Sequence, residues 1–258
     1  MNPASTVLME NTPLVFTHLW AAVAVSLIVF FGAIVQSGLG MGFGLTVAPV
    51  LALIDPLMVP AAALFLGMAT AIASAVREHT RIAWSQVGMG MVGRTTGIAC
   101  GGFALVWLTD RSLFDLVFGS LIMVAVILSV LGLRLALNTR NLLSMGWVSG
   151  FTGIITSVGA PPLALIYQGE DPATARPTLG AFFSFGGLIS LLVLYAVGWA
   201  GWQSFVLALF MAPSAIAGTL AGRRMQGRFD ARYRGLLLAI AALAAILLMV
   251  RGLSGQMG

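Results

Sequence analysis

The chain has 258 residues, 59% of them hydrophobic and only 8% charged. A soluble domain carries roughly a quarter charged residues, so lipid must cover the outside and a soluble fold is excluded. The net charge of +5 comes from thirteen arginines with no lysine; it reads as loops obeying the positive-inside rule, not as a nucleic-acid surface. The single cysteine, Cys100, excludes an internal disulfide. Residues 1–17 hold no Lys or Arg, so they lack the positive region of a cleaved signal peptide and read as an extracytoplasmic tail.

In chain order, apolar segments are predicted over residues 18–36, 45–54, 56–76, 82–108, 113–135, 142–156, 163–168, 173–197, 202–222 and 233–250. Several reach the roughly 20 residues that carry a helix across a hydrocarbon core of about 30 Å. None alternates as an outer-membrane strand does. Segments 45–54 and 163–168 are too short to span. Each follows a helix-breaking cluster: Ser37-Gly38-Leu39-Gly40-Met41-Gly42-Phe43-Gly44 before the first, Ser157-Val158-Gly159-Ala160-Pro161-Pro162 before the second.

Arginine placement sets sidedness. Arg77 and Arg81, Arg134 and Arg140, and the group Arg223, Arg224, Arg228, Arg232 and Arg234 are assigned to the cytoplasm, as topogenic charge rather than an anionic-lipid site. Segment 56–76 then runs inward, which places Asp55 outside, and the N-terminus, with only Glu10 charged, is external too. The stretch from His18 to Asp55 becomes a hairpin entered from outside; that from Arg140 to Asp171 becomes one entered from inside. Each is followed by three spans. The result is two inverted repeats, 18–137 and 138–251, with tails 1–17 and 252–258, an all-α plan of about eight membrane segments common among secondary transporters.

Ordered matches between the halves support the repeat. Phe31, Gln36 and Ser37 parallel Phe151, Thr156 and Ser157, and Pro49-Val50-Leu51-Ala52-Leu53-Ile54 parallels Pro161-Pro162-Leu163-Ala164-Leu165-Ile166. Asp55-Pro56 echoes Asp171-Pro172, and Gly97 with Gly101 echoes Gly218 with Gly222. The Gly-rich break followed by Pro49, and its second copy ending in Pro161-Pro162, resemble the paired signature of the sulfite exporter TauE/SafE family from about Leu19 to Val250. The resemblance implies a multi-pass bacterial inner-membrane protein that exports sulfite or organosulfonates such as sulfoacetate. Together with the glycine-lined spans it is compatible with a homodimer.

The breaks predict where an anion would bind. A helix restarting at Leu45 reaches Ile54 in about 15 Å, so its N-terminus lies near mid-membrane, as does that of the helix starting around Pro162. Helix N-termini present unpaired N–H groups and about half a positive charge, and two meeting there suit an oxyanion. Gly38, Gly40, Gly42 and Gly159 let backbone approach a ligand; a plain kink is the alternative. Arg94, central in segment 82–108 beside Thr95, costs roughly 3 kcal/mol at that depth and must face a cavity, a partner or buried carbonyls. All eight acids are placed at span ends or in loops, so none neutralises it. Gln36, Ser37, Thr156 and Ser157 precede the breaks and either donate to the same anion or bond back to helix carbonyls. The Gly93, Gly97 and Gly101 ladder reads as a packing surface, with Cys100 an inert core residue on it. His18 lies at a span end and His79 in the loop between Arg77 and Arg81, so neither reads as a ligand or a proton relay.

No nucleotide loop or metal spacing occurs, so neither an enzyme nor a cofactor is expected. The expected partners are a small anion and the bilayer, with no nucleic acid. Without intramembrane acids, potential-assisted anion export is the leading reading; an anion channel or a scaffold without flux are the alternatives.

Overall fold

The computed structural model describes residues 13–39, 41–224 and 231–256. Gly40, Glu10 and Arg228 lie outside them, as do the side chains of Arg232 and Arg234. The described elements are helical: α1 (Leu19–Leu39), α2 (Phe43–Ile54), α3 (Ala61–Arg77), α4 (Trp84–Trp107), α5 (Arg111–Leu131), α6 (Thr139–Thr156), α7 (Ala160–Tyr167), α8 (Pro172–Ala196), α9 (Trp202–Arg224) and α10 (Ala231–Gln256). A one-turn helix, Leu14–Thr17, precedes α1. Starts follow the local chemistry: Asp110 accepts from the Leu113 N–H at 2.7 Å and Asn138 from the Asn141 N–H at 2.9 Å, satisfying first-turn donors that have no helical partner.

Among the described residues, five helices are long and apolar enough to cross a membrane: Leu19–Gly38, Arg111–Leu131, Pro172–Ala196, Trp202–Arg224 and Gly235–Gly255. The chain is an integral, multi-pass membrane protein. α4 is as long as these but fails on apolarity, because glycines and Arg94 occupy its inward face. That face packs on α6 with the backbones in contact. A Cβ on Gly93, Gly97 or Gly101 would run into the backbone at Leu143, Trp147 or Phe151. The contacts rise in step, so the two helices run parallel. Gly218 and Gly222 of α9 meet Phe30 and Ile34 of α1 in the same manner. Elsewhere α3 packs on α8 and α5 on α10, while α8 also touches α4 and α3 touches α9.

Both hairpins pair a long helix with a short one, 21 against 12 residues and 18 against 8. α1 continues three residues past the predicted end at Gln36, through Ser37 and Gly38, since both are buried and packing offsets the glycine's low helix propensity. α2 starts at Phe43, two residues before the predicted Leu45, and α7 at Ala160 rather than around Pro162.

The outer ends of the short helices lie at opposite ends of α5. Arg251 of α10 donates to both oxygens of Asp115, at 2.7 and 3.0 Å, and to the Ala52 carbonyl near the end of α2 at 3.2 Å. At the far end of α5, the Leu135 N–H donates to the Leu165 carbonyl of α7 at 2.8 Å, and the Gln168 amide reaches the Gly132 and Leu133 carbonyls. Asp55 belongs to the first end, where it accepts from the Leu57 N–H at 3.0 Å and the Leu14 N–H at 2.8 Å. Glu78 pairs with Arg176 at 3.7 Å, tying the α3–α4 turn to the start of α8.

Asp115 stands at the span end where the sequence placed it, one turn inside α5, but it is buried, only 3% exposed, and held by Arg251 and by Arg111 at 3.4 Å. Such a carboxylate persists inside only because cations satisfy it. Cys100 is exposed on the outward face of α4 rather than in the core, one residue before the packing glycine Gly101 and so about 100° round the helix.

Candidate functional site

α4 carries Arg94 between packing glycines, on the side facing α6 and α8. The guanidinium is 2% exposed and, among the described residues, no carboxylate pairs with it. Its path to the interior runs over Gly186 of α8, where a Cβ would overlap Nε. That nitrogen has no hydrogen-bond partner. The rings of Phe182 and Phe183 cover the guanidinium at 4.9 and 5.2 Å, close enough for cation–π attraction. Nη1 donates to Ser149 Oγ of α6 at 2.7 Å, and Ser149 donates in turn to the Gly159 carbonyl at 2.6 Å. A two-bond relay thus ties the buried cation to the second helix break.

The first break turns the chain into a helix whose leading N–H groups have no acceptor in its own ladder. Gly42 caps α2 with φ +112°, a left-handed conformation suited to glycine. Gln36 Oε1 accepts from the Phe43 N–H at 3.1 Å. The next two N–H groups, of Gly44 and Leu45, have no acceptor within the helix. Gly44 lies against the Ser157 carbonyl so closely that a Cβ would collide with it, so the two hairpin tips touch. At the second tip Ser157 holds φ +63° and its N–H closes α6 onto the Gly153 carbonyl at 2.8 Å. A non-glycine residue held in that region costs about 1–2 kcal/mol; its hydroxyl is fixed by donating to the Pro60 carbonyl at 2.8 Å. α7 begins Ala160-Pro161-Pro162, so two of its first three residues bring no N–H.

Between the tips lies a cavity of about 50 Å³. One water needs about 10–15 Å³, so it has room for a few waters or one small oxyanion. Gln36, Gly42, Gly44, Leu45, Arg94, Ser157, Gly159 and Ala160 line it, with Leu64, Gly67 and Met68 of α3 and Phe183 of α8.

Of the residues singled out in the sequence, Gln36, Gly42, Arg94, Ser157 and Gly159 therefore come together. Gly40 lies outside the described residues. Gly38 is buried in the last turn of α1, away from the lining. Ser37 is buried too, and its Cβ lies 3.0 Å from where a Gly222 side chain would begin, toward α9. Thr156 bonds locally: it donates to the Thr152 carbonyl at 2.7 Å and accepts from the Val158 N–H at 3.1 Å. Thr95 is exposed, because one step along a helix turns a side chain about 100° from its neighbour. Sequence reasoning missed Ser149, Phe182, Phe183 and Met68. The Gly186-Gly187 pair in an apolar helix was the available signal, since it marks where another group presses close.

Fold and site together define a polytopic helical membrane protein with a cavity, lined by a buried cation, at the meeting of two broken hairpins. In comparison with known families, the model described as Sulfite exporter TauE/SafE matches residues 25–249. The chain belongs to that family. The family is one of transporters, not enzymes, and membership makes this chain a membrane anion exporter of the sulfite type in general terms. No curated protein and no solved structure matches the chain.

Proposed function

We propose that the chain exports small sulfur oxyanions, sulfite or organosulfonates such as sulfoacetate, by alternating access between two inverted repeats of one hairpin and three helices each. One observation carries this: among the described residues Arg94 is buried without a carboxylate partner, and it lines a cavity also lined by the first residues of α2. A buried charge without a partner is costly, and an anion entering the cavity supplies the partner. A guanidinium binds such oxyanions through parallel, charge-assisted hydrogen bonds.

The packing supports the repeat. Exchanging α1–α5 for α6–α10 turns the α4–α6 pair into the α9–α1 pair and the α8–α4 pair into the α3–α9 pair, while α3–α8 and α5–α10 map onto themselves. The short helices α2 and α7 run from the tips toward opposite ends of α5, as hairpins entered from opposite sides would. Arg77, Arg134, Arg140 and Arg176 flank the end of the bundle where α7 terminates, which favours that end as cytoplasmic in a bacterial inner membrane and the N-terminus as periplasmic. An interior negative by about 100 mV drives each anionic charge outward by about 2.3 kcal/mol, so no coupling ion is required.

Proteoliposomes with imposed potentials test the reading. Saturable sulfite efflux that rises with an inside-negative potential, and is lost in Arg94→Leu while the variant stays folded, is the expected result. Removing an unpaired buried charge leaves thermal stability equal or higher. Flux that ignores voltage but requires a proton gradient would refute potential-driven export. Flux without saturation or counter-transport would mean a channel, and folded protein with no flux a scaffold.

A further inference from the structure

We propose that this cavity accepts one negative charge, so that the cargo is a monoanion, hydrogen sulfite or a monosulfonate, and dianions are refused; the inference rests on the anion-export reading above and narrows its cargo, since sulfoacetate, a dianion near neutral pH, falls outside it. Arg94 is the only ionisable side chain lining the cavity among the described residues. Its contacts on α6 and α8 are Ser149, Gly153, Phe182, Phe183 and Gly186, none of which titrates or carries charge. The hairpin tips add Gln36 and backbone, again without Asp, Glu, His or a further Arg.

Helix dipoles add little. A full helix N-terminus contributes about half a charge, α2 supplies one such end, and α7 lacks two N–H groups of its first turn. The Ser157 carbonyl, pressed against Gly44, sets a negative dipole beside the donors. The compensation available is therefore one full charge and a fraction. The remaining walls, Phe43, Leu64, Met68 and Phe183, are apolar and cannot solvate a second negative charge. They suit instead the uncharged end of an organic sulfonate, or the protonated oxygen of hydrogen sulfite near Gln36.

Because no titratable group besides Arg94 faces the cavity, pH dependence must come from the cargo. Binding to purified full-length protein and flux into proteoliposomes, compared for methanesulfonate, sulfate and sulfite between pH 6 and 8, test this. Methanesulfonate should bind equally across the range. Sulfate should bind at least tenfold more weakly. Apparent sulfite affinity should fall about tenfold per pH unit once hydrogen sulfite loses its proton. Met68→Lys adds a second cation at nearly constant side-chain length, and should raise sulfate relative to methanesulfonate at least tenfold. Arg94-dependent sulfate binding as tight as that of methanesulfonate in the unaltered protein overturns the one-charge rule while leaving anion export standing. Anion binding unchanged in a folded Arg94→Leu protein, or no binding at all, overturns the export site and the rule with it.

Discussion

At the first hairpin tip the short helix keeps its leading N–H groups, with Gly42 turning the backbone and Gln36 holding Phe43. At the second tip proline removes two of the leading donors, and the backbone is instead fastened through Ser149 to a cation on a neighbouring helix. The same topological device is thus used once to offer hydrogen bonds and once to place a charge. Two meeting helix ends need not contribute alike, and on the proposed reading the donors for an anion are divided between α2 and α4.

The division can be broken from the second side first. Ser149→Ala releases Arg94 Nη1 and leaves the Gly159 carbonyl buried without its donor, a loss of about 1–3 kcal/mol. Sulfite binding by titration calorimetry should weaken roughly tenfold, while the α4–α6 seam, made by glycines, holds the fold. Gln36→Leu attacks the first side more gently. It removes one cap, worth about 1 kcal/mol, so affinity should drop roughly fivefold. Thr95→Ala sharpens the boundary of the site. The side chain is exposed and off the lining, so binding and thermal stability should stay within about 0.5 kcal/mol.

Much of this was legible in the residues. Glycine and proline clusters at 37–44 and 157–162 announced both breaks, because no continuous helix accommodates them, and Arg94 stood out because its depth demands a reason. What failed to show were relations between distant positions. Ser149 lies 55 residues from Arg94, and among many small hydroxyl residues on helices nothing local distinguishes it. Thr95 looked equivalent to Arg94 until helix rotation separated them. Asp115 was placed at a span end, but nothing local announced its burial, since its partner Arg251 comes 136 residues later. The end of α1 was misjudged for a related reason: Gly38 breaks a helix by propensity, but burial against neighbouring helices outweighs that preference.

That late partner has a bearing on how the protein is made. At a synthesis rate of about 5–20 residues per second, several seconds separate the emergence of Asp115 from that of Arg251. For that interval the carboxylate has Arg111 beside it but not the clamp that fastens α2 and α10 to α5. The amino-terminal half therefore waits in the bilayer as an unfinished assembly, and the last helix completes it as well as completing its own half.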